Sequence, residues 1–240
     1  MLGLVSVGAL TGCASAVPAP TAPPGVDLES FDGVDGNGLW LLPGAEARTE
    51  ILDAMRAGGP VKVTGSFTEL VQPDPESDPV RGRTITVDFH GRADAFTANV
   101  VAGDQQLHVV LDDGTTHVRG NAAYAESIAA PDLADRVTCT VGSDPTLERW
   151  SPLFSPAALV EDVLAHVELG VAPPAGDGET LEVVVGTEGS PFGVLTVERY
   201  GAPLPRGFTA ADASGDATFA FAEWGVAPDL AAAAAALPCP

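Results

Sequence analysis

Three cysteines and four histidines are the side chains in this 240-residue chain whose chemistry depends most on spacing. Cys13 closes the run Leu10-Thr11-Gly12-Cys13, directly after the short apolar stretch 2–10 and directly before a Pro/Ala-rich one. That stretch is too short to span a bilayer, yet it has the length of the apolar region of a secretory signal. Small residues before the cysteine suit a processing peptidase. The pattern is that of a lipoprotein start: a diacylglyceryl group on the Cys13 thiol, a signal over residues 1–13, and Cys13 as the new, membrane-anchored N-terminus on the extracytoplasmic side. No Lys or Arg precedes the apolar stretch, so the natural start is expected upstream of Met1. The competing reading is a buried apolar strand with an incidental cysteine.

With Cys13 acylated, Cys139 and Cys239 remain as an even pair in an oxidising compartment. A Cys139–Cys239 disulfide would tie the Pro-flanked C-terminal tail to the body; two unpaired, partly buried thiols are the alternative. His90, His108 and His117 all fall on predicted strands, but no ligand-spacing motif links them, so no metal site is assigned. His166 reads as an ordinary helix residue. Asp32, Asp35, Asn37 and Glu46 have some of the spacing of a calcium loop, but Trp40 stands where the sharp turn needs Gly, which leaves a solvated acidic loop. No nucleophile elbow, zinc-protease helix, C-x-x-C or phosphate-cradling glycine loop is present. Carboxylate pairs carry no information in a chain this acidic. The expectation is a protein that is not an enzyme and uses no cofactor.

Charge narrows the partners. The chain carries 33 Asp+Glu against 11 Lys+Arg, a net of −22. Such a surface repels phosphates and anionic lipid, so nucleic acid is excluded as a partner and attachment to the cell membrane must come from the acyl anchor. One acyl chain binds only marginally, which is why a two-chain anchor is needed.

Residues 14–38 read as a Pro/Gly-rich tether and 39–240 as a single domain, with 45% hydrophobic residues over the whole chain, enough for a core. Ile51, Leu52 and Met55 lie at helical spacing within 45–57, stopped by Gly58-Gly59-Pro60. The period then changes to two. Strands are predicted over 61–71, 84–90, 96–100, 107–111, 115–119 and 136–141, separated by turn residues. A second helix is predicted from a Ser155 cap to a Gly170 stop, with Leu159, Val160, Val163, Leu164 and Val167 as its stripe. Three more strands follow over 181–186, 194–200 and 217–223. About nine strands and two helices make an α+β fold, an antiparallel curved sheet with helices on its concave face. Two helices cannot cover so wide a sheet, so an apolar, incompletely filled face is expected beside the plainer alternative of a packed core.

The order of these pieces resembles the actinobacterial lipid-carrier lipoproteins of the LprG/LppX type, relatives of the LolA and LolB fold. The pieces are the run ending at Cys13, ARTEILDAMRAGG, ITVDFHGRADAFTANVV, DDGTTHVRGNAAY, ERWSPLFSPAALVEDVLAHV and ATFAFAEWG, spread over about residues 45–224. The resemblance implies a half-barrel around helices, with an apolar cavity that holds an acylated lipid or lipoglycan for transport through the envelope. It implies Val63, Phe67, Val87, Phe89, Phe96, Val100, Leu107, Val109, Leu159, Val163 and Leu164 as cavity residues. The second reading is an envelope protein as partner, bound by the same fold with the cavity collapsed.

Overall fold

Period-two alternation places one apolar face on a single eleven-stranded sheet, in the order β6-β5-β4-β3-β2-β1-β11-β10-β9-β8-β7, antiparallel throughout. The structure is a computed structural model that describes residues 35–72, 74, 76–142, 144–165, 168–187, 190–211 and 216–240. Cys13, the signal, residues 14–34 of the tether, Asp32, His166 and Val167 lie outside the described residues. The strands are β1 (Val61–Val71), β2 (Val80–Arg92), β3 (Ala95–Ala102), β4 (Gln105–Asp112), β5 (Thr115–Gly120), β6 (Val137–Val141), β7 (Glu168–Val171), β8 (Thr180–Thr187), β9 (Ser190–Glu198), β10 (Pro205–Ala211) and β11 (Asp216–Ala222).

The register fixes the inner face. Val63 stands opposite Phe89 and Phe221, Phe89 opposite Ala98, Ala98 opposite Val109, and Val109 opposite Val118. On the other half, Phe219 faces Phe208, Phe208 faces Leu195, and Leu195 faces Val183. Eleven strands at about 4.8 Å spacing would span roughly 50 Å if flat. Curvature brings them round one core, in which residues from β1–β5 and β8–β11 share a cluster with α1 (Gly44–Ala57) and α3 (Pro156–Ala165). The sheet does not close into a barrel, because β6 and β7 pair with only one neighbour each.

α1 buries Ala47, Ile51, Leu52 and Met55, the predicted stripe, and packs against β7 and α3. Its stop is Gly59 at φ 78° followed by Pro60. Pieces not expected from the sequence include α2 (Ala122–Ser127), the 3-10 helix Pro145–Phe154 and α4 (Leu230–Ala236), with two short 3-10 turns at Leu39–Leu41 and Pro131–Leu133. Two strands were also missed. β10 opens on Pro205, which is tolerated as the first residue of a strand, and β7 occupies the end of the predicted second helix, which stops at Ala165. Residues 35–38, read as tether, are hydrogen-bonded to the body. Arg199, only 6% exposed, donates to the carbonyls of Asp35, Gly176 and Gly178, and Asn37 donates to those of Glu198 and Gly201.

The C-terminal tail is held twice. α4 packs on the outer face of β3 and β4, where Val110 and Leu237 are both fully buried, and a disulfide joins Cys139 on β6 to Cys239. His117 donates from Nδ1 to the Leu237 carbonyl at 2.9 Å, beside the two sulfurs. The bond closes a separation of 100 residues.

Two predictions follow from this packing. Reduction, or Cys139→Ser, should lower the unfolding free energy by about 4–5 kcal/mol in the chain-entropy account of so long a loop, read from urea midpoints. An unmoved midpoint would show that the tail contributes no stability. Gly65 on β1 lies under the Phe219 ring, and a Cβ there would meet both that ring and the Thr218 carbonyl. Gly65→Val should therefore cost at least about 1–3 kcal/mol, because backbone atoms cannot rotate away.

Candidate ligand-binding cavity

The chain must pass from β6 at one edge of the sheet to β7 at the other, and it does so across the inner face. The crosspiece is the 3-10 helix Pro145–Phe154 followed by α3. Leu147, Trp150 and Leu153 are buried and recur every three residues, the period at which 3-10 side chains eclipse into one stripe. Asp144 caps the segment: its carboxylate accepts from Thr146 N (2.9 Å), Thr146 Oγ1 (2.7 Å) and Thr140 Oγ1 (3.1 Å). At the far end Phe154 stacks on Phe96 of β3 with ring centres 5.1 Å apart, and Phe96 lies 5.2 Å from Phe89. The crosspiece is thus pinned at both ends. Pro152 lies inside it.

α3 begins at Pro156, with Ser155 Oγ accepting from Ala158 N at 3.4 Å. It buries Val160 and Leu164 and leaves Leu159 and Val163 half-buried. Between that half-buried face, the crosspiece and the inner face of β2, β1, β11 and β10 lies a cavity of about 450 Å³. Its walls are almost wholly apolar: Phe67, Ile85, Phe208 and Phe219 from the sheet, Trp150, Leu153, Leu159 and Val163 from the crosspiece. This size falls within the roughly 300–1,000 Å³ of small-molecule sites. A second cavity of about 520 Å³ lies on the other side of the 3-10 helix, against Phe96, Leu111, Leu147 and Phe154. Its wall includes Asp144 and Thr116, and both have partners inside the protein, since Thr116 Oγ1 donates to the Gly142 carbonyl at 2.6 Å. The first cavity is the better acyl site, because hydrocarbon needs apolar walls and no hydrogen-bond partner.

Polar groups gather at the rim of the apolar cavity. Glu69 of β1 lies 2.9 Å from Arg83 Nε and 3.6 Å from an Arg149 Nη. The Arg83 N–H at that position is not aligned with the carboxylate and makes no hydrogen bond, so the contact is Coulombic. Both guanidinium groups lie over the Trp150 ring, 5.8 Å and 5.4 Å from its centre. Arg83 and Glu69 are mostly covered, whereas the Arg149 side chain is 61% exposed.

Of the residues that the resemblance implies for a cavity, Phe67, Leu159 and Val163 line this one. Phe96 borders the second cavity. Val63, Val87, Phe89, Val100, Leu107, Val109 and Leu164 are closed core, each exposed by 4% or less. Trp150, Leu153, Phe208 and Phe219 were not singled out beforehand. The three-residue period of Leu147, Trp150 and Leu153 was the available signal.

The histidines on strands lie on the outer face. His90 contacts the Val226 carbonyl at 2.9 Å and His108 contacts Thr97 Oγ1 at 3.4 Å. Burial, and then the neighbouring Arg119 charge, hold the His108 pKa below its ordinary value. Among the described residues one three-ligand cluster occurs, His117 with Cys139 and Cys239, and its sulfurs are consumed by the disulfide. The side chain of Asn37 is engaged with Glu198 and Gly201 carbonyls and with Leu39 N, not with an ion site. No described helix is long and apolar enough to cross a membrane.

No family model matches the sequence, and no curated protein matches it. Among solved structures the chain is similar to LprF from Mycobacterium bovis, at 12% identity over 78% of this chain and 97% of that one, with a TM-score of 0.41. It is also similar to a domain described as an outer membrane lipoprotein-sorting protein from Vibrio parahaemolyticus, at 10% identity over 75% and 89% with a TM-score of 0.22. A β-barrel-like protein of a domain of unknown function from Brucella abortus gives 13% identity over 71% and 98%, with a TM-score of 0.20. At such scores the likeness assigns no ligand, and the functional reading stands on the geometry of this chain.

That geometry separates two kinds of substitution. Val163→Trp adds bulk on the cavity side of α3 and should abolish binding of a fluorescent long-chain fatty acid, with the urea midpoint kept within about 1 kcal/mol of the parent. Phe89→Asp places an unpaired carboxylate in closed core and should unfold the protein. Full fatty-acid binding by a folded Val163→Trp would place the ligand elsewhere.

Proposed function

We propose that this protein is a membrane-anchored, extracytoplasmic lipoprotein that binds an acylated lipid or lipoglycan in the cavity under the crosspiece, as a carrier or chaperone in envelope lipid transport. The observation that carries this reading is a cavity of about 450 Å³ with almost wholly apolar walls between the crosspiece and the inner face of the sheet. Affinity comes from burial alone. Each methylene removed from water contributes about 0.8 kcal/mol, so ten of them supply roughly 8 kcal/mol against the cost of immobilising the lipid. No covalent step is involved.

Orientation on the membrane supports the same reading. The described chain begins at Asp35, held by Arg199 just beyond the end of β9. By register Arg199 lies past the Val61 end of β1, and Glu69 and the cavity rim lie at the other. At about 3.3 Å per residue, the two are roughly 25 Å apart along the strands. A chain anchored at Cys13 therefore enters the body at the end remote from the rim. The stretch between Cys13 and Asp35 leaves roughly twenty residues to join anchor and body, so the rim is not bound to one orientation toward the bilayer. A carrier needs that freedom.

The test is lipid identification on the full chain carrying Cys13→Ser, purified without detergent from a lipid-rich envelope and examined by native mass spectrometry and solvent extraction. A stoichiometric, defined acylated lipid that is lost in Val163→Trp is the expected result. A clean apo mass from repeated preparations would overturn the carrier reading.

A further inference from the structure

We infer that Arg83 and Arg149 form a clamp for an anionic phosphodiester headgroup, placed so that a lipid with its acyl chain in the apolar cavity sets its phosphate at the rim. This rests on the cavity being the lipid site. The first support is the local reversal of charge. The chain as a whole has 33 acidic residues against 11 basic ones. Other paired guanidinium groups have a carboxylate of their own, as with Arg206 and Glu198 or Arg92 and Asp94, or have two, as Arg56 does with Asp53 and Glu161. At the rim two guanidinium groups share the one carboxylate of Glu69. The trio carries a net charge of +1, which one monoanionic phosphodiester would neutralise.

Geometry supplies the second support. Both guanidinium groups lie over the ring of Trp150, a residue 4% exposed and fixed in the crosspiece. That arrangement limits their rotamers in advance of binding. Planar guanidinium forks match phosphate oxygens in a bidentate way that an ammonium cannot, and both basic residues at the rim are Arg. Arg83 is held further by donation from Nη1 to the Ala102 carbonyl at 3.4 Å, with its buried Nε against Glu69. Glu69 itself holds the two cations together and limits their charge. A neutral headgroup would gain nothing from the site.

The experiment compares two fluorescent probes with the same acyl chains, phosphatidylglycerol and diacylglycerol, titrated into the full chain carrying Cys13→Ser. Phosphatidylglycerol should bind about tenfold more tightly than diacylglycerol, and the advantage should shrink as salt is raised. Arg149→Gln, at an exposed position that does not endanger folding, should remove most of that advantage by weakening phosphatidylglycerol far more than diacylglycerol. Glu69→Gln should move phosphatidylglycerol affinity in the opposite direction, upward. A fatty acid of the same chain length, run in parallel, distinguishes a phosphate from a carboxylate: equal preference for the fatty acid would overturn the phosphodiester assignment. Equal binding of both lipids, or equal loss of both in Arg149→Gln, overturns the clamp and leaves the cavity reading standing. If neither lipid binds the parent protein, the cavity reading falls and the clamp falls with it.

Discussion

The pairing of β1 with β11 is the constraint from which the cavity arises. It joins two meanders, β1–β6 and β7–β11, along their inner edges and sends β6 and β7 to opposite margins of the sheet. The single link between those margins has no path along the sheet and must cross its inner face. Had the second meander added to β6 instead, a short hairpin would have sufficed and the inner face would have lacked its crosspiece. The residues that make the cavity, Trp150, Leu153, Leu159 and Val163, all belong to that link. A topological requirement thus puts a helix over the sheet, and sequence detail decides how tightly it sits.

Sequence detail keeps the crosspiece from settling flat. A 3-10 helix presents one narrow stripe, and Pro152 prevents the segment from continuing as an α-helix with a broader apolar face. The stripe is anchored by the stack of Phe154 on Phe96 at one end and by the Asp144 cap at the other. Between them Trp150 is wedged under two guanidinium groups. Only Leu159 and Val163 of α3 approach the sheet across the gap. The same polar trio that props the rim open would therefore meet the headgroup, so support and recognition come from one set of atoms.

Much of this was legible in the chain. The alternations over 61–71, 84–90 and 96–100 became β1, β2 and β3 because one buried face specifies register strongly. The Asp113-Gly114 hairpin was legible for a different reason, since both residues take positive φ and few residue types accept it. The 3-10 helix was not, because three apolar residues at a spacing of three, with two prolines around them, match neither the helix nor the strand template. α4 is a run of alanines with no apolar stripe, and its position comes from the disulfide and from Leu237, not from amphipathicity. Inward residues could be told from outward ones by alternation. Whether an inward residue meets a neighbour or a void depends on where the crosspiece crosses, and alternation carries no information on that.

The size of the void bears on its occupancy. An empty, sealed apolar cavity costs about 24 cal/mol per Å³, so one of about 450 Å³ would cost roughly 11 kcal/mol. That equals the whole folding stability of an ordinary domain, about 5–15 kcal/mol. A sealed void of this size is therefore not sustainable as a resting state. This cavity is not sealed: Arg149, one of its lining residues, has a side chain 61% exposed to solvent. Apolar walls open to solvent are a store of unrealised burial energy, which an entering hydrocarbon chain would release. The rim must then do two things at once: admit solvent when the site is empty and close over the ligand's polar end when it is full. Under the proposed reading a charged trio stacked on an indole would satisfy both, staying hydrated in the first state and exchanging that water for an anion in the second.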